Sequence, residues 1–348
     1  MNEVNKMKIH KIFLAAVLAI SSLSLAACAN NGNKSENGDK PRVLRVANMT
    51  GQPDQYADYI GIEQGIFEKY GIDVQTTEFV AGINTIDSVV TGTADTGLLA
   101  DFAAANRFGN TLHATNLVIF SDLSAGSSNN GGIYVAPKYA NDTASLDGSE
   151  GWITNIGTVS EYYNWQAQTF LGLDPAKQKS IQADSSLTRL ALAQNGGASA
   201  AVVTGSEIKR FEEQGWVKVA DSNDVGINVY AYLITTKEFA EANTELLADY
   251  LKALKESFEY INANLDESAE KISGRFGIDA DDFKSNWKQL NLRSGLAEDG
   301  AAHLSKIKDW AFENGKFPED YNIRQFYYTK AAKAAFPDEV TVDLSSVK

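Results

Sequence analysis

The apolar positions change period several times along the chain, and the changes predict its elements. Residues 43–47 (Val-Leu-Arg-Val-Ala) make a short strand that runs into a polar loop over residues 48–54. Over residues 56–70, Tyr59, Ile60, Ile62, Ile66 and Phe67 keep helical spacing, and Gly71 ends the helix. Ile72-Asp73-Val74 opens the next strand, so this stretch reads as a strand–helix–strand unit and the fold class as α/β. The alternation continues with a helix over 84–90 and strands over 96–99, 117–120, 133–136 and 153–156. A helix over 160–171, a buried strand over 200–203 and a strand over 229–235 follow. After Asn243, residues Leu246, Leu247, Tyr250, Leu251, Leu254, Phe258 and Ile261 predict a long helix with one buried face. Residues 301–335 are predicted mostly helical, and no internal repeat is present.

The N-terminus follows a different pattern. Lys6, Lys8 and Lys11 precede an apolar run over 12–20 and a small-residue stretch over 21–27, the order of a secretory signal peptide. That run is shorter than the roughly 20 apolar residues of a bilayer span. Leu25-Ala26-Ala27-Cys28 resembles the bacterial lipobox. The resemblance implies cleavage after residue 27 and a palmitate-type lipid on Cys28, which would hold the protein on the extracytoplasmic face of the cell membrane. Residues 28–41 then form a flexible tether rich in Asn, Gly, Lys and Ser.

Composition narrows the function classes. The 348-residue chain has a formal charge of −14, which becomes −16 without residues 1–27 and their three lysines and one glutamate. Such a surface favours solubility and disfavours nucleic acid, whose binding needs Lys and Arg on phosphates. Cys28 is the chain's only cysteine, so no disulfide framework and no CxxC site exists. The sequence holds no GxSxG elbow, HExxH, P-loop or GxGxxG. His10, His113 and His303 are too scattered to suggest a triad or a metal cluster. No catalytic residue, metal site or cofactor is therefore expected. Residues 221–226 read as a turn rather than a calcium loop, and Asp279, Asp281 and Asp282 as a solvated helix start. The length calls for two domains.

Four segments, in order, resemble the periplasmic binding proteins of the nitrate, sulfonate, taurine and thiamine-pyrimidine-precursor group. They are Gly61 to Val74 (GIEQGIFEKYGIDV), Val89 to Gly97 (VVTGTADTG), the set Leu146-Asp147-Gly148, Ile156 to Glu161 (IGTVSE) and Leu171 to Asp174 (LGLD), and Leu190 to Gly196 with Ala200-Ala201-Val202. Ser199 stands where the group usually has Asp, and Ser149-Glu150-Gly151-Trp152 replaces its short basic turn. The resemblance implies a two-lobe (type II) periplasmic-binding fold with the ligand cleft between lobes. Residues 42–137 would form lobe 1, 138–232 lobe 2, and 233–348 the return to lobe 1 with C-terminal helices. It implies capture of a small molecule by a monomer that delivers it to the permease and ATPase subunits of an ABC importer. Two other readings stay open: an enzyme like the thiamine-pyrimidine synthases, and a sensor or adhesion lipoprotein that keeps the fold without transport.

In open α/β sheets, ligands sit beyond the carboxyl ends of the strands. The polar residues after the predicted strands are therefore the candidate ligand contacts: Asn48, Gln52, Gly82, Asp101, Thr158, Ser160 and Thr204. Thr158 and Ser160 open a predicted helix, where they serve either as caps or as donors to an anion. Tyr162 shares a helix face with Trp165 and joins the set as an aromatic wall; Tyr163 and Trp165 read first as core. For a cation or a neutral ring, Asp54, Asp101 and the aromatic cluster become the better candidates.

Overall fold

The computed structural model describes residues 40–347, apart from 51, 80–81, 126–130 and 147–149. The signal-like run and Cys28 lie outside the described residues. The strands are β1 (Arg42–Met49), β2 (Ile72–Phe79), β3 (Thr96–Ala100), β4 (Leu117–Ala125), β5 (Gly132–Val135), β6 (Trp152–Thr154), β7 (Ser180–Gln182), β8 (Ala200–Val203), β9 (Val217–Asp221), β10 (Tyr230–Thr236) and β11 (Asn291–Leu292). The helices of the first half are α1 (Tyr56–Glu63), α2 (Ile66–Lys69), α3 (Gly82–Val90), α4 (Asp101–Asn110), α5 (Val159–Phe170), α6 (Ser186–Gln194) and α7 (Ile208–Glu213). They are followed by α8 (Ser222–Val225), α9 (Lys237–Ala242), α10 (Thr244–Ala263), α11 (Leu265–Phe276), α12 (Ala280–Trp287), α13 (Glu298–Glu313) and α14 (Thr329–Ala335).

The strands form two sheets. The first has the order β11-β4-β10-β3-β1-β2 and the second β7-β6-β8-β5-β9. In the first sheet β1 runs parallel to β2 and β3, while β10 lies antiparallel between β3 and β4. The chain leaves β1 for one edge and β3 lies on its other side, so the sheet's topological switch point is at the carboxyl ends of β1 and β3. In the second sheet β6 has β7 on one side and β8 on the other, both parallel, which puts a second switch point at the ends of β6 and β8. These two sets of strand ends are where an α/β sheet presents ligand-binding loops.

Side-chain alternation in the second sheet divides its faces cleanly. Tyr134, Ile153, Ala201, Val203 and Ala183 pack with Phe211 and Trp216 in a small core of their own. Their neighbours Ile133, Val135, Trp152, Ala200 and Val202 point the other way, into the large core that also contains Leu98, Tyr232 and Tyr250. The inserted Trp152 is thus a fully buried strand residue. Ser199, in place of an acid, donates through Oγ to Gly151 O at 2.8 Å and ties the start of β8 to the start of β6.

Several elements depart from the sequence pattern. The helix expected over 56–70 is two helices, because Gly65 takes φ 65° and breaks it, while Ile66 and Phe67 re-enter the core and preserve the period. The strand expected over 153–156 stops at Thr154, and Gly157 at φ 87° turns the chain into α5. Residues 221–226 hold the one-turn helix α8, closed by Gly226 at φ 78°. The tail is interrupted between α13 and α14 by residues 314–328, which include only a 3-10 turn, Ile323–Phe326. Strands β7 and β9 gave no signal because they are short and poor in buried residues.

Helix α1 crosses α10 at Gly61. A Cβ built there would lie 2.3 Å from Ser257 Oγ and 2.5 Å from Phe67 Cε2, closer than any real contact. Phe67 in turn stacks on Tyr250 of α10 at 5.8 Å. Replacing Gly61 by Ala is expected to lower stability by about 1–3 kcal/mol through overpacking, measured as a lower urea midpoint at unchanged slope. An unchanged midpoint would mean that the two helices are not packed this closely.

Candidate solute-binding site

At the first switch point the polar residues are buried and tied to one another. Asn48, at the end of β1, is 3 % exposed; its side chain hydrogen-bonds Asp58 of α1, which also accepts from Tyr250 Oη at 2.8 Å. The turn after β1 brings Asp54 across the ends of β3 and β10, so that Ser124 Oγ of β4 donates to Asp54 Oδ2 at 2.7 Å. The second oxygens are not used: Asn48 Oδ1 and Asp54 Oδ1 are buried and have no hydrogen-bond partner among the described residues. Burial pushes the Asp54 carboxyl above its ordinary range, with the Ser124 bond opposing it.

Asp101 opens α4 and is fully buried. Its Oδ1 accepts from Phe102 N at 2.6 Å, and its Oδ2 accepts from Tyr230 N at 3.0 Å and lies 2.8 Å from His303 Nε2 of α13. The Tyr230 ring stacks on His303 at 4.2 Å, and the Arg293 guanidinium lies 5.5 Å from the same ring. Arg293 forms a two-pronged pair with Asp299, both bonds 2.6 Å, and lies 3.9 Å from Asp122. Asp122 in β4 accepts from Ala297 N at 2.9 Å, while its Oδ1 has no partner among the described residues.

Helix α5 of the second sheet faces this edge. Tyr162 meets Trp310 of α13 edge-on at 5.2 Å and stacks on Trp165 at 6.1 Å. Trp310 also touches Phe102 at 6.2 Å, and its Nε1 is buried without a partner among the described residues. Beside these rings Lys316 donates to both oxygens of Glu161 at 2.8 Å, an ion pair only about a fifth exposed. Glu161 Oε2 also accepts from Gly157 N at 2.7 Å. Among the described residues the two halves meet here through an aromatic cluster and the Lys316–Glu161 ion pair.

The sequence-derived candidates fall into three groups. Asp101 and Tyr162 share the junction, and the Asp101 charge bears on the hydroxyls of both Tyr162 and Tyr163. Asn48 stands at the same sheet edge. Thr158 is the N-cap of α5: its Oγ1 accepts from Ser160 N at 3.2 Å and donates to Asn155 O at 2.7 Å, while Ser160 Oγ accepts from Asn155 N at 3.2 Å. Both hydroxyl oxygens are engaged in the turn that starts the helix, Thr158 as donor and acceptor and Ser160 as acceptor. Gln52 caps the 3-10 turn that carries Asp54, Gly82 begins α3, and Thr204 precedes the 3-10 turn after β8. Sequence reasoning ranked Trp165 and Tyr163 as core, yet Trp165 is 36 % exposed. It missed Trp310, Tyr230, Arg293, Ser124 and Lys316, which come from distant segments; the loop position of Asp54 was the one available signal. Among the described residues no group of three or more His, Cys, Asp or Glu is placed to hold a metal ion, and no helix is long and apolar enough to cross a membrane.

Burial raises Asp58 and Asp122 each to about 7. In the folded protein both hold a proton that the unfolded chain releases near pH 4, so their contribution is complete below that pH and is lost as pH rises through 7. The melting temperature is expected to fall between pH 5 and pH 8, each carboxyl contributing on the order of 4 kcal/mol at most. Asp122→Asn should flatten the slope. A melting temperature that rises over this interval would show that both acids ionise normally in the fold.

No protein-family model matches the chain, and no curated protein matches it. Solved structures do. The periplasmic aliphatic sulphonate binding protein SsuA from Escherichia coli superposes with a TM-score of 0.70 at 18 % identity, over 82 % of this chain and 97 % of its own. The periplasmic nitrate-binding protein NrtA from Synechocystis PCC 6803 gives 0.62 at 15 % identity, over 85 % and 89 %. DSZB, solved as a cysteine-to-serine mutant in complex with biphenyl-2-sulfinic acid, gives 0.61 at 12 % identity, over 85 % and 99 %. At these identities the likeness is one of architecture: the chain has the periplasmic binding protein fold.

Proposed function

We propose that the protein is an extracytoplasmic solute-binding lipoprotein. It captures a small molecule between the ends of its two sheets and delivers it to the permease and ATPase of an ABC importer. The observation that carries this reading is the junction itself. Two topological switch points are each lined by short polar loops, and the junction holds buried polar atoms that the protein leaves unpaired among the described residues. Proteins of this fold that bind aliphatic sulphonate and nitrate support it. The sheets divide the chain near residues 126–131 and again between Asp221 and Tyr230, which supports two lobes joined by two crossings. We place the lobe boundary there, so that β5 belongs to the second lobe, and closure about these crossings would be the working motion.

The non-enzymatic reading rests on the chain's own groups. DSZB, whose cysteine was replaced by serine in that structure, holds a sulfinic acid compound on the same fold. Here the one cysteine, Cys28, sits in the lipobox-like segment, and His303 is held against Asp101.

Two measurements test the proposal. Native mass spectrometry of the protein purified from its producing cells should reveal a small molecule that denaturation releases. Cys28→Ala should move the protein from the membrane fraction to the soluble one, because no helix among the described residues is long and apolar enough to cross a membrane. Retention of the variant in the membrane fraction would refute the lipid anchor, and failure to bind any solute would refute the capture role.

A further inference from the structure

The proposed solute-binding role leaves open what kind of solute the junction accepts, and the charge pattern narrows it. Two cations at this edge, Arg293 and Lys316, are already matched among the described residues. Arg293 is held by both oxygens of Asp299, and Lys316 by both oxygens of Glu161. An anionic solute would have to compete with one of these pairs. Thr158 Oγ1 donates within the turn that starts α5, and the donors left at the junction, the Ser160 hydroxyl and Trp310 Nε1, are neutral.

The acceptors are in the opposite condition. Asn48 Oδ1 has no hydrogen-bond partner among the described residues, so the Asn48 bond to Asp58 runs through the amide N–H and leaves Oδ1 as its free group. Asp54 uses one oxygen on Ser124, the backbone N–H groups of Gln55 and Asp54 also bear on its carboxyl, and Oδ1 completes no hydrogen bond among the described residues. Both residues are 3 % exposed, and both belong to the segment that crosses the first switch point. A buried acceptor with no donor is costly, most of all on a carboxylate, and a ligand that supplies the donor recovers that cost. Across the junction the ring faces of Tyr162, Trp165 and Trp310 supply the surface that attracts cations and planar groups.

We infer that the solute carries a protonated nitrogen with free N–H groups, a primary ammonium or amidinium, which Asp54 Oδ1 and Asn48 Oδ1 accept while the aromatic cluster packs against its body. This rests on the solute-binding reading above. It assigns Asp54 as the counter-ion and Asn48 as the neutral partner, and Asp58 as the group that orients Asn48.

The test uses the purified full-length protein at pH 7 with benzylamine and benzamidine as cationic probes, benzyl alcohol as the neutral counterpart, and benzenesulfonate and nitrate as anions. Calorimetric titration should show that a cationic probe binds and that its affinity falls tenfold or more in Asp54→Asn, as expected for losing a charge-assisted bond. Asn48→Ser should weaken the same probe independently, and thermal melts establish that both variants fold. Binding of an anion that is equally tight in Asp54→Asn overturns the inference and leaves solute capture standing. So does a nitrogen-free solute found by mass spectrometry of the purified protein. If no probe binds and no solute co-purifies, both readings fall together.

Discussion

The junction is organised by one carboxylate that never reaches water. Asp101 takes its place at the start of α4, where a negative charge suits the free N–H groups of a helix N-terminus. From there it ties Tyr230 of β10, returning after the second sheet, to α4, and brings His303 of α13 alongside. Without that tie the start of β10, the Tyr230 ring and the N-terminal half of α13 would lose their common reference. The side chains of Trp310 and Arg293 follow from it, because both sit on segments that α4, β10 and α13 fix.

A second consequence concerns charge. The edge of the first sheet gathers Asp54, Asp58, Asp101 and Asp122, all nearly or fully buried, and among the described residues Arg293 and His303 are the basic side chains within 4 Å of any of them. Water cannot solvate these groups, so each must be hydrogen-bonded, neutral or matched from outside. Asp101 follows the first course and Asp58 and Asp122 the second, near neutral pH. Asp54 and Asp122 each keep an oxygen without a partner among the described residues, and Asp54 is the one that shares a segment with Asn48. The acidic character of the whole chain, formal charge −14, runs in the same direction without being specific.

The legibility of the fold was uneven for identifiable reasons. Strands such as β8 read directly because all four residues are apolar and buried, and α10 because its buried face keeps a helical period over twenty residues. The α1–α2 break was invisible because the apolar spacing continues across Gly65. Chemistry at strand ends was partly legible: Asn48, Asp101 and Tyr162 stand at the junction, whereas Thr158 and Ser160 cap their own helix. What could not be read were contacts between segments far apart in sequence. Lys316 meeting Glu161, or Asp54 meeting Ser124, leaves no trace in local composition, because the pairing exists only once the sheets are assembled.

A crystal structure of the protein with the solute that co-purifies is the most direct measurement. The solute is expected between α5 and the edge formed by the ends of β1, β3 and β4. Its nitrogen should lie within about 3 Å of Asp54 Oδ1, with its body against Tyr162 and Trp310. A solute seated on a different face, or one that turns an acidic group toward Arg293 after displacing Asp299, would contradict it.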